Sequence, residues 1–319
     1  MKALVIPEFA GPEVLSIQQV PDPKPTAQEV LVRVEVAGLN FADVLTASGG
    51  YPGLPQPPLI AGREFAGVIE NTSERVMGYT QWGAFAEKIV ARRELIWPVP
   101  KAWTAVEAAA FPVNFFTAYL AYWKAGLVEH SDASSARVLI HAAAGGVGTA
   151  AVQIGKVLGI EMYGTSSSDE KLNSVQSLGL QHAINYKQRD YEQAVMELTR
   201  GEGVDAVFEM LGGEHTAKSV RCLRDFGRVI SYGAATGKPA QLDPRILYAR
   251  GTSVHGLWLT QLSKKHDVMN GAWKQLSACA NEGKLHPIVG HRFPLERARE
   301  AYELLSAGKN YGKIVLIIR

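Results

Sequence analysis

Short apolar runs alternate with amphipathic stretches through the middle of the chain. Segments 138–140, 161–164, 183–184, 204–209 and 228–232 are a few apolar residues long and bounded by polar or Gly-rich stretches, which predicts buried strands. Between them, 149–158, a segment from about Asp169, 191–200 and 215–223 carry apolar residues at helical spacing. Such alternation predicts parallel βαβ units with right-handed crossovers, and so a doubly wound sheet.

The two ends read differently. Up to about Val99 the signals are strands at 2–6, 29–36, 64–70 and 84–90, separated by Pro- and Gly-rich segments such as Pro21-Asp-Pro-Lys-Pro25 and Gly49-Gly-Tyr-Pro-Gly-Leu-Pro55. Helical pattern begins at 104–111, where Thr104 and Glu107 have capping-box spacing, and continues over 114–124. After a strand at 253–259, helices are predicted at 274–281 and 295–307, and the chain closes on Lys313-Ile-Val-Leu-Ile-Ile318. The C-terminal piece is expected to pack back on the β-rich first part.

Composition narrows the function. The 319 residues suffice for two domains, and 47% hydrophobic content can build their cores. Thirty-three basic residues against thirty-one acidic ones give no electrostatic case for nucleic acid or a membrane surface, which points to a small-molecule partner. Two cysteines, Cys222 and Cys279, offer no disulfide framework, and the apolar run after Met1 is too short for a signal peptide. A cytoplasmic protein is expected.

The chemistry concentrates between the strand at 138–140 and the helix at 149–158. Ala143-Ala144-Gly145-Gly146-Val147-Gly148 fits G-x-G-x-x-G with Ala143 in the first glycine's place. Small residues there let the backbone turn tightly and leave no side chain between the helix N-terminus and a pyrophosphate. The second strand ends Gly164-Thr-Ser166-Ser167-Ser168-Asp-Glu-Lys171. An acid about 20 residues past the glycines would bind a ribose 2′-hydroxyl, and Asp169 nearly suits. Hydroxyls and a cation instead suit a 2′-phosphate, with Ser168 as N-cap and Asp169 and Glu170 serving the helix dipole. His141, before the glycine corner, reads as a core histidine.

Several segments together resemble the medium-chain dehydrogenase/reductase superfamily, in particular its zinc-free quinone-reductase branch with ζ-crystallin and the synaptic-vesicle amine-transport protein homologues. They are Gly38-Leu-Asn40-Phe-Ala-Asp43, Tyr51-Pro, Gly62-Arg-Glu64-Phe-Ala-Gly67, Thr117-Ala-Tyr119, Ala142 to Gly148, Val204-Asp205 leading to Gly212-Gly213, Gly233, and Gly312-Lys-Ile-Val-Leu316. The resemblance implies a Rossmann domain over 116–256 and a GroES-like catalytic domain from 1–115 and 257–319. It also implies NADPH as coenzyme, with Ser166, Ser167, Lys171 and Tyr186 at its 2′-phosphate. Thr117, Ala144 to Gly148, Gly233, Leu257 and Trp258 would lie along the coenzyme, and Lys313 near its diphosphate or nicotinamide end. The resemblance further implies a homodimer, with the 256–259 segment at the dimer edge. Between Glu70 and Val76 the chain is shorter than its relatives.

Superfamily members with catalytic zinc hold it through a cysteine near Asn40 and a histidine at Arg63, and neither residue here is a zinc ligand at neutral pH. Without a Lewis acid, a conjugated acceptor is the easier substrate, because negative charge spreads onto an oxygen that a few donors can stabilise. Asn40 and Tyr51 are the candidate donors. The expected activity is metal-independent reduction of quinones or α,β-unsaturated carbonyls. The alternatives are a 2-enoyl-thioester reductase and an NADPH-binding module with little turnover.

Overall fold

The structure, a computed structural model, describes residues 1–128 and 135–319. The chain divides into two compact units, Met1–Asn114 with Ser263–Asn270 and His286–Arg319, and Phe115–Leu262 with Gly271–Leu285.

The first unit is built on a mainly antiparallel sheet to which both ends of the chain contribute, with Val289–Pro294 running parallel to its neighbour Lys313–Ile317. Strands Val289–Pro294, Lys313–Ile317, Glu29–Leu39, Glu64–Ile69, Arg75–Tyr79 and Ile96–Pro98 follow one another across it, and Lys88–Arg92 also pairs with Glu29–Leu39. Glu29–Leu39 begins as a half-buried strand, with Val30, Val32 and Val34 buried and Arg33 exposed between them. Lys313–Ile317 lies antiparallel to it, Ile314 opposite Leu39 and Leu316 opposite Ala37, so the expected return of the C-terminus is a strand pairing. Gly67 sits so close to its partner strand that a Cβ there would lie 2.0 Å from the Arg33 carbonyl oxygen. After Glu70 the hairpin is tight: Ile69 N–H donates to the Glu74 carbonyl at 3.0 Å and Asn71 takes φ 63°. The strand expected at 84–90 lies instead at Lys88–Arg92, because Phe85 exchanges its backbone hydrogen bonds with Leu4 and Ala61, each at 2.8 Å, and Ala86 makes only an isolated bridge to Ala3. Leu4, Val32, Phe65, Phe85, Leu316 and Tyr302 fill the core.

The second unit is a six-stranded sheet in the spatial order His182–Asn185, Glu161–Ser166, Arg137–Ile140, Val204–Glu209, Leu223–Ser231, Ser253–Gly256, with every pair parallel. In sequence order this is 3-2-1-4-5-6, the doubly wound dinucleotide topology, which places ligands outside the carboxyl ends of the strands. Helix Gly146–Leu158 buries Ala150, Ala151 and Ile154 and ends on Gly159 at φ 72°. Its Gly155 lets it approach the sheet, since a Cβ there would lie 2.3 Å from Met162 Sδ. Among the described residues no helix is long and apolar enough to cross a membrane.

Candidate active site and coenzyme corner

Asn40 closes strand Glu29–Leu39 and is the N-cap of helix Phe41–Ala47. Its backbone N–H donates to Asp43 Oδ2 at 2.8 Å, as a capping box requires. Its side chain is held from both sides. Nδ2 donates to Glu64 Oε1 at 2.8 Å and more weakly to the Gly38 carbonyl at 3.4 Å, while Oδ1 accepts from Lys313 Nζ at 2.5 Å. Lys313 also pairs with Glu64 and reaches Asn114 Oδ1 at 3.5 Å, and the second Glu64 oxygen accepts the Val113 N–H at 2.7 Å. Glu64 is 0% and Lys313 3% exposed, so this ion pair is fully desolvated.

A second buried pair adjoins the first. Arg63 donates through Nη2 to Thr46 Oγ1 at 2.5 Å and through Nη1 to the Gln81 carbonyl at 3.0 Å. Its Nε lies 3.4 Å from Asp43 Oδ1 but makes no hydrogen bond, so that contact is one of charge. Burial pushes the Asp43 carboxyl up to about 6, against the pull of the Arg63 cation and the Asn40 amide. Tyr51, in the turns after helix Phe41–Ala47, lays its ring on the Arg63 guanidinium, whose carbon is 3.8 Å from the ring centroid. Asn40 and Tyr51 therefore share one charged, water-excluded anchor. Glu64, Asp43 and Asn114 were not singled out as site residues from the sequence. For Glu64 the available signal was a carboxylate heading an otherwise apolar strand.

In the second unit, Ala144 to Gly148 form the turn into helix Gly146–Leu158. Gly145 is the N-cap, no side chain caps the first turn, and Gly145, Gly146 and Val147 are only half-buried. Gly148 is required by the backbone, because a Cβ there would lie 2.3 Å from the Ala142 carbonyl oxygen. These amides have the character of an anion cradle, which a diphosphate fits. Ser166 ends the second strand and is buried, Ser167 follows it, and the Tyr186 N–H donates to the Ser166 carbonyl at 3.1 Å. Ser168 caps helix Asp169–Gln176 by accepting from Lys171 N–H at 3.4 Å. Asp169 is occupied by the amides of Asn185 at 2.8 Å and Gln188 at 2.7 Å. Burial lowers the Lys171 ammonium, with Lys187 adding like charge to the same corner.

The remaining expected coenzyme residues lie elsewhere in this unit. Thr117 is buried on helix Pro112–Lys124, and Gly233 follows strand Leu223–Ser231. Leu257 donates its N–H to the Ser231 carbonyl at 2.8 Å, with Trp258 next to it. Glu209, another residue not singled out, is 0% exposed at the end of strand Val204–Glu209. It accepts the N–H groups of Leu211 at 2.6 Å and Gly212 at 2.8 Å, tying down the loop that follows. His141 is a satisfied core residue between Thr165 Oγ1 and Ser219 Oγ, each at 3.1 Å, and burial pushes it down to about 3.

Among the described residues no three His, Cys, Asp or Glu side chains are grouped as a metal ion would need. The polar cluster around Asn40 and Arg63 is filled by protein cations, and its donor set is that of an ion-pair network.

The chain matches the alcohol dehydrogenase GroES-like domain over residues 26–81 and the zinc-binding dehydrogenase domain over 146–278. It is 30% identical to the quinone oxidoreductase of Mus musculus over 332 residues, covering 100% of this chain and 98% of that protein. The structure of the Thermus thermophilus quinone oxidoreductase, solved also in complex with NADPH, superposes with a TM-score of 0.89 at 34% identity and full coverage of both chains. The CurK enoyl reductase is similar too, with a TM-score of 0.89 at 29% identity over 100% of this chain and 99% of that one. The fold, the strand order and these relationships together make the chain an oxidoreductase of the medium-chain dehydrogenase/reductase superfamily, in the branch of the quinone oxidoreductases and ζ-crystallin.

Proposed function

We propose that the protein is an NADPH-dependent, metal-independent reductase of quinones or α,β-unsaturated carbonyls. The observation that carries this reading is the uncapped first turn at Gly145 to Gly148 beside a corner of serine hydroxyls and two lysines, which suits a diphosphate and a further phosphate on one molecule. The NADPH named for the Thermus relative supports the same choice. In this reading Ser166, Ser167, Lys171 and Tyr186 take the 2′-phosphate, while Thr117, Ala144 to Gly148, Gly233, Leu257 and Trp258 line the rest of the coenzyme. Lys313, with its ammonium on Glu64 and Asn40, is assigned to holding Asn40.

NADPH, when bound, supplies a hydride to the conjugated acceptor. Asn40 offers a fixed amide dipole, oriented by Glu64 on one side and Lys313 on the other. Tyr51 supplies a proton to the acceptor oxygen, and solvent restores it. A homodimer is proposed, because strand Ser253–Gly256 is an outer strand of its sheet and its backbone is available to a second copy. A cytoplasmic location is proposed from the two unpaired cysteines.

The test is NADPH oxidation with one ortho-quinone, one para-quinone, one alkenal and one enoyl thioester, repeated with NADH. Turnover of a quinone or the alkenal with strong preference for NADPH is expected. Exclusive use of the thioester would move the assignment to an enoyl-thioester reductase, the reading that the CurK relative favours. Tight NADPH binding without turnover of any acceptor would leave a binding module. Equal use of NADH would refute the phosphate corner.

A further inference from the structure

We infer that Arg63 is a positioning residue for Tyr51, and that the Asp43–Arg63 pair ties Tyr51 to the anchor that holds Asn40. The inference rests on the reading of Tyr51 as proton donor. Residues 51–58 contain neither helix nor strand, so no backbone ladder fixes where the Tyr51 ring stands. The ring instead lies face-on to a guanidinium at 3.8 Å. That guanidinium is itself buried and held. It is 2% exposed and is held by Thr46 from helix Phe41–Ala47, by the carbonyl of Gln81 after strand Arg75–Tyr79, and by the charge of Asp43. The other Asp43 oxygen accepts the Asn40 backbone N–H, so a single carboxylate ties the Asn40 backbone to the cation under Tyr51.

Packing alone does not call for this residue. Replacing a buried ion pair by apolar side chains of similar volume is often neutral or stabilising, so an apolar chain would support the ring at less cost. A planar cation adds what an apolar chain cannot. When Tyr51 gives up its proton, the O–H electron pair stays on the phenol oxygen and its charge spreads into the ring that lies on the buried guanidinium. Only Arg among the cationic side chains offers a flat face to the ring while donating in its own plane to Thr46 and Gln81.

The test is a double-mutant cycle on the full-length protein, Arg63→Met and Arg63→Lys in the native and Tyr51→Phe backgrounds, with NADPH and the best acceptor of the panel. Arg63→Met is expected to lower kcat about thirtyfold, the rate equivalent of a desolvated cation–π contact, with KM for NADPH unchanged. Arg63→Lys should recover part of that loss. In the Tyr51→Phe background Arg63→Met should cost nothing further. Equal losses in both backgrounds would overturn the inference while leaving Tyr51 as donor; a Tyr51→Phe enzyme with full kcat would remove the donor and the inference together. Should Arg63→Met fail to fold, Arg63→Lys completes the cycle. A readout independent of turnover is the fluorine resonance of 3-fluorotyrosine placed at position 51. It should move in Arg63→Lys while the circular dichroism does not, and an unmoved resonance would count against the contact.

Discussion

Lys313, at the start of the last strand, places its ammonium 2.5 Å from the side-chain oxygen of Asn40, 273 residues earlier in the chain. The pairing of Lys313–Ile317 with Glu29–Leu39 brings them together, with Ile314 opposite Leu39. Glu64 completes the triangle from the neighbouring strand, so three strands of one sheet hold one amide.

Breaking this triangle on one side leaves a buried charge. Lys313→Met strands the Glu64 carboxylate and Glu64→Gln strands the ammonium, and each single variant is expected to lose about 3–5 kcal/mol of stability. The double variant should lose less than the sum of the two, because the second change removes the charge that the first left unpaired. Urea unfolding of the four proteins checks this. Additive losses would mean that the pair contributes no coupling.

The Asp43 carboxyl makes a pH dependence with a definite sign. Its value in the folded protein, about 6, lies above the ordinary 3.8, so the folded state binds the proton more tightly. Its contribution is therefore most favourable below about pH 4 and is lost as pH rises to about 6. His141 acts oppositely. Pushed down to about 3 from 6.5, it contributes stability above pH 6.5 that is lost as pH falls toward 3. The difference in stability between wild type and Asp43→Asn, measured from pH 4 to 7, isolates the first effect. The advantage of wild type should shrink across that window; a difference that grows with pH would show that the Arg63 cation, rather than burial, dominates.

What the sequence could show depended on how local the cause was. The glycine corner, the capping box at Thr104 and Glu107 and the strand at Val204–Glu209 are written in adjacent residues, and each lies where the pattern places it. The ion-pair network was not legible. Asp43 meets Arg63 only through the fold of the N-terminal part, and Glu64 and Asn114 meet Lys313 only when the last strand pairs with Glu29–Leu39. Helix Phe41–Ala47 leaves no readable period in the sequence, because seven residues make too few turns.

Lys171 should set the choice between the two coenzymes. Lys171 lies in the first turn of the helix that follows Ser166 to Ser168, and its ammonium is partly shielded from solvent. Losing a charge-assisted contact at such a site should raise KM for NADPH about tenfold or more in Lys171→Ala. KM for NADH should stay the same, since that coenzyme carries no 2′-phosphate. Initial rates with both coenzymes check this, and a parallel rise for the two would place Lys171 elsewhere along the coenzyme.

Gly148→Ala tests the corner itself. The added methyl would meet the Ala142 carbonyl oxygen at 2.3 Å and the Ala143 Cα at 2.6 Å, and both are backbone atoms that can yield only if the loop moves. Displacing that loop turns the first amides of helix Gly146–Leu158 away from an approaching diphosphate. NADPH affinity, followed by the change in its fluorescence, should fall by more than tenfold, with a smaller loss of thermal stability because the rest of the helix still packs on the sheet. Gly271→Ala is the matched control, since a Cβ at Gly271 in helix His266–Asn281 meets no atom within 4 Å. It should bind NADPH as the native protein does and be slightly more stable, because alanine restricts the unfolded chain. Equal affinity in Gly148→Ala and Gly271→Ala would mean that the glycine corner does not receive the coenzyme.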